Sequence, residues 1–234
     1  MHVFYTPKIK GISYRLTEEE SKHAIKVLRL KAGDEICMTD GCGGMYFGII
    51  DNPDLKKCTI QVIEKIEQYN RRNYHLHIAI APTKSNERFE WFLEKATEIG
   101  IDEITPIICK HSERKIIKHE RFDKIILSAM KQSLRAYKPK LNPLTTFSDF
   151  INSCDTNSTF IAHCENTPKQ SLKSQITNYQ NITILIGPEG DFSQDEIKKA
   201  VDNNIKEVHL GKSRLRTETA GIIACHTVNI FKEE

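Results

Sequence analysis

The sequence lacks the features that define several large classes of proteins. No run of about 18 apolar residues occurs, which argues against a membrane span. The first residues, MHVFYTPKIKG, contain no long apolar stretch of the kind that marks a secretory signal peptide. These absences predict a cytoplasmic protein that has no membrane association. With 234 residues, the chain is long enough for one large domain or for a small and a medium one.

Cysteine pairs and metal-binding spacings are also missing. The seven cysteines are an odd number, and no C-x-x-C pair or zinc-finger spacing occurs. Most stand singly inside apolar runs or in predicted loops, which indicates reduced thiols in a cytoplasmic protein. The sequence therefore predicts no disulfide framework and no metal site.

Neither common nucleotide-binding fingerprint is present. The chain has no G-x-G-x-x-G, which argues against a nicotinamide dehydrogenase, and no G-x-x-x-x-G-K-[ST] phosphate loop. A ligand of this protein must therefore be held in another way.

Positive charge is concentrated in one segment. Between Lys110 and Lys140, ten Lys and Arg residues stand against three acidic ones, although the net charge of the whole chain is only +3. Such a segment is typical of a surface that binds a polyanion such as nucleic acid. The alternative is a solvated helix face whose acidic partners come from neighbouring elements.

The hydrophobic pattern divides the chain at about residue 70. Residues 1–70 contain short predicted strands (HVFYT, DEICMTD, GMYFGIID, CTIQVIEKI) and one helix, TEEESKHAIKVLRL, opened by a Thr17-x-x-Glu20 capping box. Closely spaced strands and turns predict a small β-barrel. The polar stretch EQYNRRN is the predicted linker.

Residues 71–234 alternate strands with helices, which predicts a mostly parallel sheet. The predicted strands are HLHIAIA, DEITPIIC, STFIAHC, NITILI and EVHL. The predicted helices are SNERFEWFLEKATEIG, residues 121–137, a helix after Ser193 with a Ser193-x-x-Glu196 capping box, and TAGIIACHTVNIF.

The segment IGPEGDFSQDE follows a buried strand, at the end of a sheet where α/β proteins bind ligands. Gly187 and Gly190 would allow close backbone approach and unusual φ angles. Glu189 in the middle of the turn would repel a pyrophosphate, so the expected ligand is not strongly anionic. The alternative is a plain strand-to-helix turn.

A second segment, VHLGKSRLRTETAGIIA, also leaves a strand through a glycine, Gly211. Thr217 is the expected N-cap of the helix that follows. Arg216 and Glu218 have no comparable structural reason to be there. Two glycine-bearing strand ends close in sequence, one of them rich in charge, therefore predict a single site.

These two segments, read as IGPEG-FS--E and LG---LRTETA, resemble the RsmE family, the ribosomal RNA (uracil-N3) methyltransferases of the SPOUT superfamily. The segments HAIKVLRL, EKATEIGIDEITPI and KQSLRAYKP also resemble blocks of that family, in the same order. The chain departs from the family pattern at Asp191, where a second glycine is common, and at Ser213 and Arg214, where the family arginine stands one position earlier.

The resemblance implies a PUA-like RNA-binding barrel over residues 1–70 and a SPOUT α/β domain over residues 71–234, with a mostly parallel sheet and a deep trefoil knot. It implies a homodimer that binds S-adenosylmethionine and methylates N3 of a uridine in the 16S ribosomal RNA of the small ribosomal subunit. FIAHCEN (160–166) would form a third wall of the cofactor site. The implied cofactor-binding residues are His163, Ile186, Gly187, Pro188, Gly190, Leu210, Gly211, Leu215, Thr217, Thr219 and Ala220.

Transfer to N3 requires removal of a proton, so the expected catalytic residues are a base and a cation. Glu218 and Glu189 are the candidate bases, and Arg216 is the candidate cation; the alternative is that Glu218 pairs with Arg216 only to hold the loop. The expected phosphate contacts are Lys22, Lys26, Arg29, Arg114, Arg135 and Lys138. Two alternatives stay open: a related methyltransferase acting on a ribose 2′-OH or another base, and a ribosome-binding protein without catalysis.

Overall fold

A computed structural model describes residues 3–233 of the chain, and of Glu233 the backbone only. Two compact units can be distinguished. The first comprises the described part of Met1–Arg71 together with Leu127–Lys138, and the second comprises Arg72–Ile126 and Pro139–Glu234. A segment from the middle of the sequence thus belongs to the N-terminal unit. The proposed boundary at residue 70 lies close to the first of these divisions.

The N-terminal unit is built on a five-stranded sheet with the strand order β1-β3-β4-β5-β2. Its strands are β1 (Val3–Tyr5), β2 (Ser13–Arg15), β3 (Glu35–Thr39), β4 (Met45–Asn52) and β5 (Thr59–Ile66). β1 pairs with β3 in parallel and the other pairs are antiparallel. The register of β4 against β5 shifts at Phe47/Gly48 and again at Ile50/Asn52, and such irregularities bend a sheet. Of the first predicted strand, His2 lies outside the described residues.

The helix predicted over residues 17–30 is shorter and irregular. Thr17 caps α1 (Glu18–Lys22), and a π-helical turn, His23–Val27, follows. The capping box is wrong, because the Glu20 carboxylate does not return to Thr17 but accepts a hydrogen bond from Lys131 Nζ at 2.7 Å. Arg29 lies beyond the π turn with φ +59°, so it does not continue the helical face of Lys22 and Lys26.

A second helix also ends earlier than predicted. α3 (His119–Gln132) stops five residues before the expected end at Tyr137. Leu134 has φ +56°, which ends the helical path. The chain then pairs with the turn between β3 and β4: Lys138 N donates to Gly41 O at 2.8 Å and Gly43 N donates to Ala136 O at 2.9 Å. Tertiary pairing therefore replaces the last predicted turn of the helix.

The second unit contains an eight-stranded sheet whose strand pairs are all parallel. The order is β11-β13-β10-β12-β6-β7-β8, and β9 also pairs with β7. The strands are β6 (His75–Ile80), β7 (Glu103–Ile108), β8 (Lys140–Leu141), β9 (Thr145–Thr146), β10 (Thr159–Ala162), β11 (Gln170–Ser171), β12 (Asn181–Ile186) and β13 (Lys206–His209). The sequence predicted the five longer strands, whereas the three two-residue strands carry no pattern of their own.

Helices cover both faces of this sheet. They are α2 (Asn86–Ile99), α3, α4 (Phe147–Ser153), α5 (Leu172–Gln175), α6 (Gln194–Asp202) and α7 (Thr217–Glu233). Alternate residues of β12 serve the two faces: Ile184 packs with the residues of α2 and α7, and Leu185 packs with those of α4 and α6. Burial on both faces explains why the central strands read as continuous apolar runs.

Two further predictions concern helix starts. The Ser193 capping box is confirmed, because its hydroxyl accepts from Glu196 N and the Glu196 carboxylate accepts from Ser193 N at 2.8 Å. α7 begins at Thr217, two residues before the predicted start.

Within residues 3–233, no helix has the length and apolar content needed to cross a membrane. Those residues also contain no cluster of three or more potential metal ligands.

His77 makes the stability of this sheet depend on pH. Burial lowers the pKa of His77 to about 4, and its Nε2 lies 2.7 Å from Thr105 Oγ1. Because the folded pKa lies below that of a free histidine, near 6.5, the unfolded chain binds more protons between these values. The contribution is present above pH ~6.5 and is lost as the pH falls toward 4. We expect the free energy of unfolding to decrease by about 2 kcal/mol from pH 7 to pH 5 through this group alone.

Urea unfolding at pH 7 and pH 5 gives the change in free energy of unfolding between the two pH values. The difference in this change between the wild type and His77→Leu is the contribution of His77. Thr105 Oγ1 keeps Asn142 Nδ2 as a partner at 2.7 Å in that variant, so no buried hydroxyl is stranded. His226→Leu, at an exposed histidine of α7, is the matched control. If the free energy of unfolding changes by the same amount between pH 7 and pH 5 in His77→Leu and in the wild type, the pH dependence does not come from His77.

Candidate functional site

A cavity of about 700 Å³ opens at the carboxyl ends of β10, β12 and β13. These strands are neighbours in the parallel sheet, so the segments that follow them meet at one edge. Residues from 162–169, 186–191 and 209–217 line the cavity, together with Ala220. The volume is in the range of about 300–1,000 Å³ that is typical of small-molecule sites. The prediction that two separate loops form a single site is thus supported by the geometry.

Most residues predicted for the site do line this cavity. They are His163, Ile186, Gly187, Pro188, Glu189, Leu210, Gly211, Leu215, Arg216, Thr217 and Ala220. Gly190, Thr219 and Glu218 are described residues that are not part of the lining. Sequence reasoning missed Lys169 and the role of Asp191, and it had no pattern by which to find Lys169.

The glycines of GPEG lie where the packing is tight, and neither is needed for its φ angle. A Cβ on Gly187 would lie 3.1 Å from Phe192, and a Cβ on Gly190 would lie 3.0 Å from His111 Cβ. Neither has a positive φ, so that part of the prediction is wrong. The left-handed residue of the turn is instead Asp191, with φ +63°.

The Asp191 carboxylate joins two of the three segments. Its Oδ2 accepts from Cys164 N at 2.7 Å, across 27 residues of sequence, and its Oδ1 accepts from Phe192 N at 2.8 Å. The Asp191 backbone N–H closes the turn on Pro188 O at 2.9 Å. A third contact comes from His111, whose Nδ1 lies 3.1 Å from both Gly190 O and Asp191 O.

A polar cluster holds the segment that follows β10. His163 Nε2 lies 3.0 Å from Glu207 Oε1, and its Nδ1 lies 3.2 Å from Lys169 Nζ. Burial, and then the nearby Lys169 ammonium, lower the pKa of His163. A neutral imidazole can donate through Nε2 and accept through Nδ1, which matches these two partners. Lys169 Nζ also donates to His163 O at 2.8 Å, so this wall presents a satisfied cluster to the cavity.

The segment after β13 supplies exposed positive charge to the cavity. Gly211 has φ +131°, a conformation that favours glycine. Leu215 is half-buried, whereas Lys212, Arg214 and Arg216 are exposed at the cavity. In the described part of the chain, no other protein group accepts from the backbone N–H groups of residues 212–216. These N–H groups are available to a ligand.

Thr217 ties the second segment to the first. Its hydroxyl donates to Gly187 O at 3.0 Å, and both residues are buried. Thr217 is the first residue of α7 and not its N-cap, because Ala220 N donates to Arg216 O, one position earlier. Thr217 therefore makes a tertiary contact instead of the local capping contact that the sequence predicted.

The two candidate bases lie in different surroundings. Glu189 is exposed at the cavity, and its Oε1 accepts from Lys84 N at 2.9 Å. Glu218 is 6% exposed, with Oε1 3.8 Å from Arg88 Nε and Oε2 without a hydrogen-bond partner among the described residues. Among the described ion pairs, the partner of Glu218 is Arg88 and not Arg216 as the structural alternative required.

The residues expected to contact phosphate fall in both units. Lys22, Lys26 and Arg29 are exposed, and Lys22 pairs with Glu18 at 2.7 Å. Arg135 and Lys138 are partly buried in the segment after α3. Arg114 belongs to the second unit, where its Nε donates to Thr83 O at 3.0 Å and its guanidinium also contacts Lys84 O. Arg114 thus supports the loop that also contacts Glu189.

Two family profiles match the chain. One, described as an RNA methyltransferase domain, matches residues 70–229, and the other, described as an RNA methyltransferase PUA domain, matches residues 16–63. The chain has a parallel sheet with a cavity at three adjacent strand ends, and both profiles describe parts of RNA methyltransferases. Fold and profiles together place the chain in the class of RNA methyltransferases.

Similar proteins narrow the class. The ribosomal RNA small subunit methyltransferase E of Buchnera aphidicola is 30% identical over 218 residues, which are 90% of this chain and 85% of that protein. The chain belongs to the ribosomal RNA small subunit methyltransferase E family. This confirms the resemblance drawn from the GPEG and LRTETA segments.

Solved structures agree with the fold. A probable rRNA-methyltransferase from Porphyromonas gingivalis is 39% identical, with a TM-score of 0.93 and coverage of 100% of this chain and 99% of the other. A methyltransferase from Legionella pneumophila, solved with the bound cofactor SAM, is 25% identical, with a TM-score of 0.86 and coverage of 98% and 96%. The predicted fold class, a SPOUT α/β domain preceded by a small PUA-like domain, is confirmed.

Proposed function

We propose that this chain is an S-adenosylmethionine-dependent methyltransferase that methylates N3 of a uridine in the 16S ribosomal RNA of the small ribosomal subunit. The observation that carries the proposal is the cavity at the ends of β10, β12 and β13, in a member of this family. The relative from Buchnera aphidicola is named a ribosomal RNA small subunit methyltransferase, and the Legionella structure contains the cofactor. The N3 position rests on the family resemblance of the GPEG and LRTETA segments.

The cavity fits a cofactor that has no phosphate. S-adenosylmethionine carries an adenine, a ribose, an amino acid group and a positively charged sulfonium, which activates its methyl group. The walls combine apolar side chains such as Leu210 and Leu215 with the unengaged backbone N–H groups of residues 212–216. Backbone groups can recognise the polar edges of adenine and ribose, and the close packing at Gly187 brings the backbone near them. The cofactor-binding role of the predicted residues is part of this proposal.

We also propose that the cavity segments belong to a deep trefoil knot. The support is that the segments after β10, β12 and β13 lie against one another, joined by Asp191 to Cys164 and by Thr217 to Gly187. α7 then returns to pack against α2 and β6. A knot would fix the three segments with little dependence on regular secondary structure, although knots are rare exceptions among protein chains.

We infer that Arg216 is the catalytic cation. Its side chain is exposed at the cavity, one residue before the anchored Thr217. Loss of the N3 proton leaves negative charge on the uracil ring, which a fixed guanidinium stabilises. Uracil N3 lies on the Watson–Crick edge, so the target uridine must be unpaired or turned out of a helix.

The candidate proton acceptors are Glu189, Glu218 and a water molecule. Glu189 lines the cavity and is held by Lys84 N, so it can reach a substrate without rearrangement. Glu218 retains a free Oε2 but lies behind the lining, and it would act through a change of rotamer or through a water. Its unpartnered oxygen keeps it a candidate, since buried carboxylate oxygens are normally hydrogen-bonded.

A homodimer in the cytoplasm completes the proposal. On α7, Ile223 and Ile230 are seven residues apart and therefore lie on the same face, and Ile230 is 41% exposed. On α2, Trp91 is 44% exposed. A second subunit would cover such apolar groups.

The seven cysteines are all free, which suits a reducing compartment. We retain residues 1–70 and 71–234 as the two domains of the enzyme.

RNA binding by the N-terminal unit should depend on salt through Lys26 and Arg29. Both are exposed and have no ion-pair partner in the described part of the chain. We expect Lys26→Gln with Arg29→Asn to reduce the slope of log Kd against log salt by roughly one for each lost phosphate contact. Asparagine tolerates the positive φ of Arg29.

The measurement is a titration of small-subunit ribosomal RNA at several salt concentrations. Lys198→Gln, at an exposed position of α6, removes one of the same charges elsewhere and should leave the slope unchanged. An unchanged slope in the double variant would exclude these two residues as phosphate contacts.

The proposed reaction is tested with methyl-labelled S-adenosylmethionine and small ribosomal subunits that lack the modification. After digestion, mass spectrometry identifies the labelled nucleoside. Label in 3-methyluridine supports the proposal, and label in a 2′-O-methyl nucleoside overturns the assigned position. Absence of label together with absence of cofactor binding, measured by calorimetry, would favour a ribosome-binding protein without catalysis.

A further inference from the structure

The polar contacts of the cavity wall point to a role for Asp191, one of the positions at which this chain departs from the family pattern. We propose that the Asp191 carboxylate is a positioning residue that holds the segment after β10 against the GPEG turn and thereby sets the affinity for the cofactor. The inference rests on the proposed function, because it concerns S-adenosylmethionine in the same cavity.

The backbone at Asp191 is in a conformation that favours glycine. With φ +63°, a residue other than glycine is disfavoured there, although Asp and Asn tolerate the left-handed region better than most. The conformation itself would be satisfied by the glycine that is common in the family. The turn also closes through the backbone alone, by the bond from Asp191 N to Pro188 O. The presence of a carboxylate therefore needs another explanation.

The contacts of the side chain provide that explanation. Oδ1 accepts from Phe192 N within the turn, whereas Oδ2 accepts from Cys164 N in the opposite wall at 2.7 Å. Hydrogen bonds to an ionised acceptor are stronger than those between neutral groups. The Asp191 carboxylate thus connects two walls of one cavity, from a backbone position that glycine would otherwise favour.

The wall that Asp191 holds is an exposed loop that side-chain contacts keep in place. Residues 164–168 are exposed and have no regular secondary structure. Lys169 Nζ reaches back from the far end and donates to His163 O at 2.8 Å and to Glu165 O. The Thr167 hydroxyl donates to Glu207 Oε1 at 2.9 Å. At the near end, the Cys164 N–H is bound by Asp191. Loss of the carboxylate would leave the Cys164 N–H without its acceptor, next to His163, which lines the cavity.

Asp191→Gly is the informative variant, because glycine suits the φ angle and only the carboxylate is lost. We expect the Kd for S-adenosylmethionine to rise about tenfold, as for the loss of one charge-assisted hydrogen bond. The KM for S-adenosylmethionine should rise with it, while kcat at saturating cofactor stays close to that of the wild type. Asp191→Asn keeps one acceptor oxygen and should fall between the two. Asp202→Asn, at an exposed position at the end of α6, is the matched control.

A second measurement does not need the cofactor. Hydrogen exchange of the free protein should show faster exchange at the Cys164 amide in Asp191→Gly, with unchanged exchange in β12. Faster exchange with an unchanged Kd would overturn the positioning role, and so would unchanged exchange. If the wild type itself binds no S-adenosylmethionine, the proposed function fails and the role in cofactor affinity fails with it. The exchange result then shows separately whether Asp191 holds the wall.

Discussion

Replacement of Arg216 by alanine should lower the rate of methyl transfer by at least about a hundredfold, the usual effect of removing a group that stabilises developing negative charge. The Kd for S-adenosylmethionine should change by no more than about twofold, because the residue is exposed and its neighbours Leu215 and Thr217 form the wall. The measurements are single-turnover transfer to small subunits and calorimetric binding of the cofactor.

Two further variants test the chemistry of Arg216. Arg216→Lys keeps the charge but not the planar guanidinium, and we expect it to recover only part of the rate. Arg121→Ala removes an exposed arginine of α3 that pairs with Glu90 at 2.7 Å, outside the cavity, and should leave the rate unchanged. A normal rate in Arg216→Ala would remove Arg216 from the mechanism.

Glu218→Gln is the companion variant that separates the two candidate bases. If Glu218 takes the proton, this variant loses activity as severely as Arg216→Ala, whereas Glu189→Gln retains it. If Glu189 is the base, the order is reversed. If Glu218 only contacts Arg88, glutamine preserves the shape, and the variant changes stability without changing the rate.

The second large effect is expected at Gly221, a residue for which the sequence suggested no role. A Cβ built on Gly221 would lie 2.6 Å from Phe92 Cε2 and 2.9 Å from Ile80 Cδ1, and both side chains are fully buried. Gly221→Val would force apart α7 and the α2 and β6 residues beneath it. We expect a loss of about 3 kcal/mol in the free energy of unfolding, at the upper end of the usual cost of overpacking.

Calorimetry would show this loss as a decrease in Tm of about 6–12 °C. Trp91, the single tryptophan, lies on α2 and provides a fluorescence signal from the same pair of helices. Lys198→Val places the same β-branched residue at an exposed position of α6 and measures helix propensity alone, a cost of less than about 1 kcal/mol. A Tm for Gly221→Val equal to that of this control would show that α7 can move away without cost.

Much of the fold could be predicted because local pattern and final environment agree. β12, with apolar residues on both faces, reads as a continuous apolar run, and α2 and α6 carry their own stop and start signals in Gly100 and Ser193. The errors occur where distant contacts override the local pattern. Residues 133–137 continue the helical pattern, yet their backbone pairs with the Gly41–Gly43 turn. The helix after Thr17 contains a π turn that no residue spacing announced.

For the site, the sequence by itself determined the types of residue and the strand ends where they stand. GPEG and LRTET are local motifs, and the rule that parallel strands end at one edge brings them together. Their family resemblance was also readable from the sequence, and the comparisons confirmed it.

Only the tertiary structure decided what each residue contacts. Thr217 contacts Gly187, 30 residues away in the sequence, and Asp191 contacts Cys164, 27 residues away. Glu218 contacts Arg88, 130 residues away. Hydrogen bonds and ion pairs depend on distances of about 3–4 Å in space, which no local pattern encodes when the partners are far apart in the chain. The same reason explains Gly221, whose missing side chain has meaning only because Phe92 packs against it.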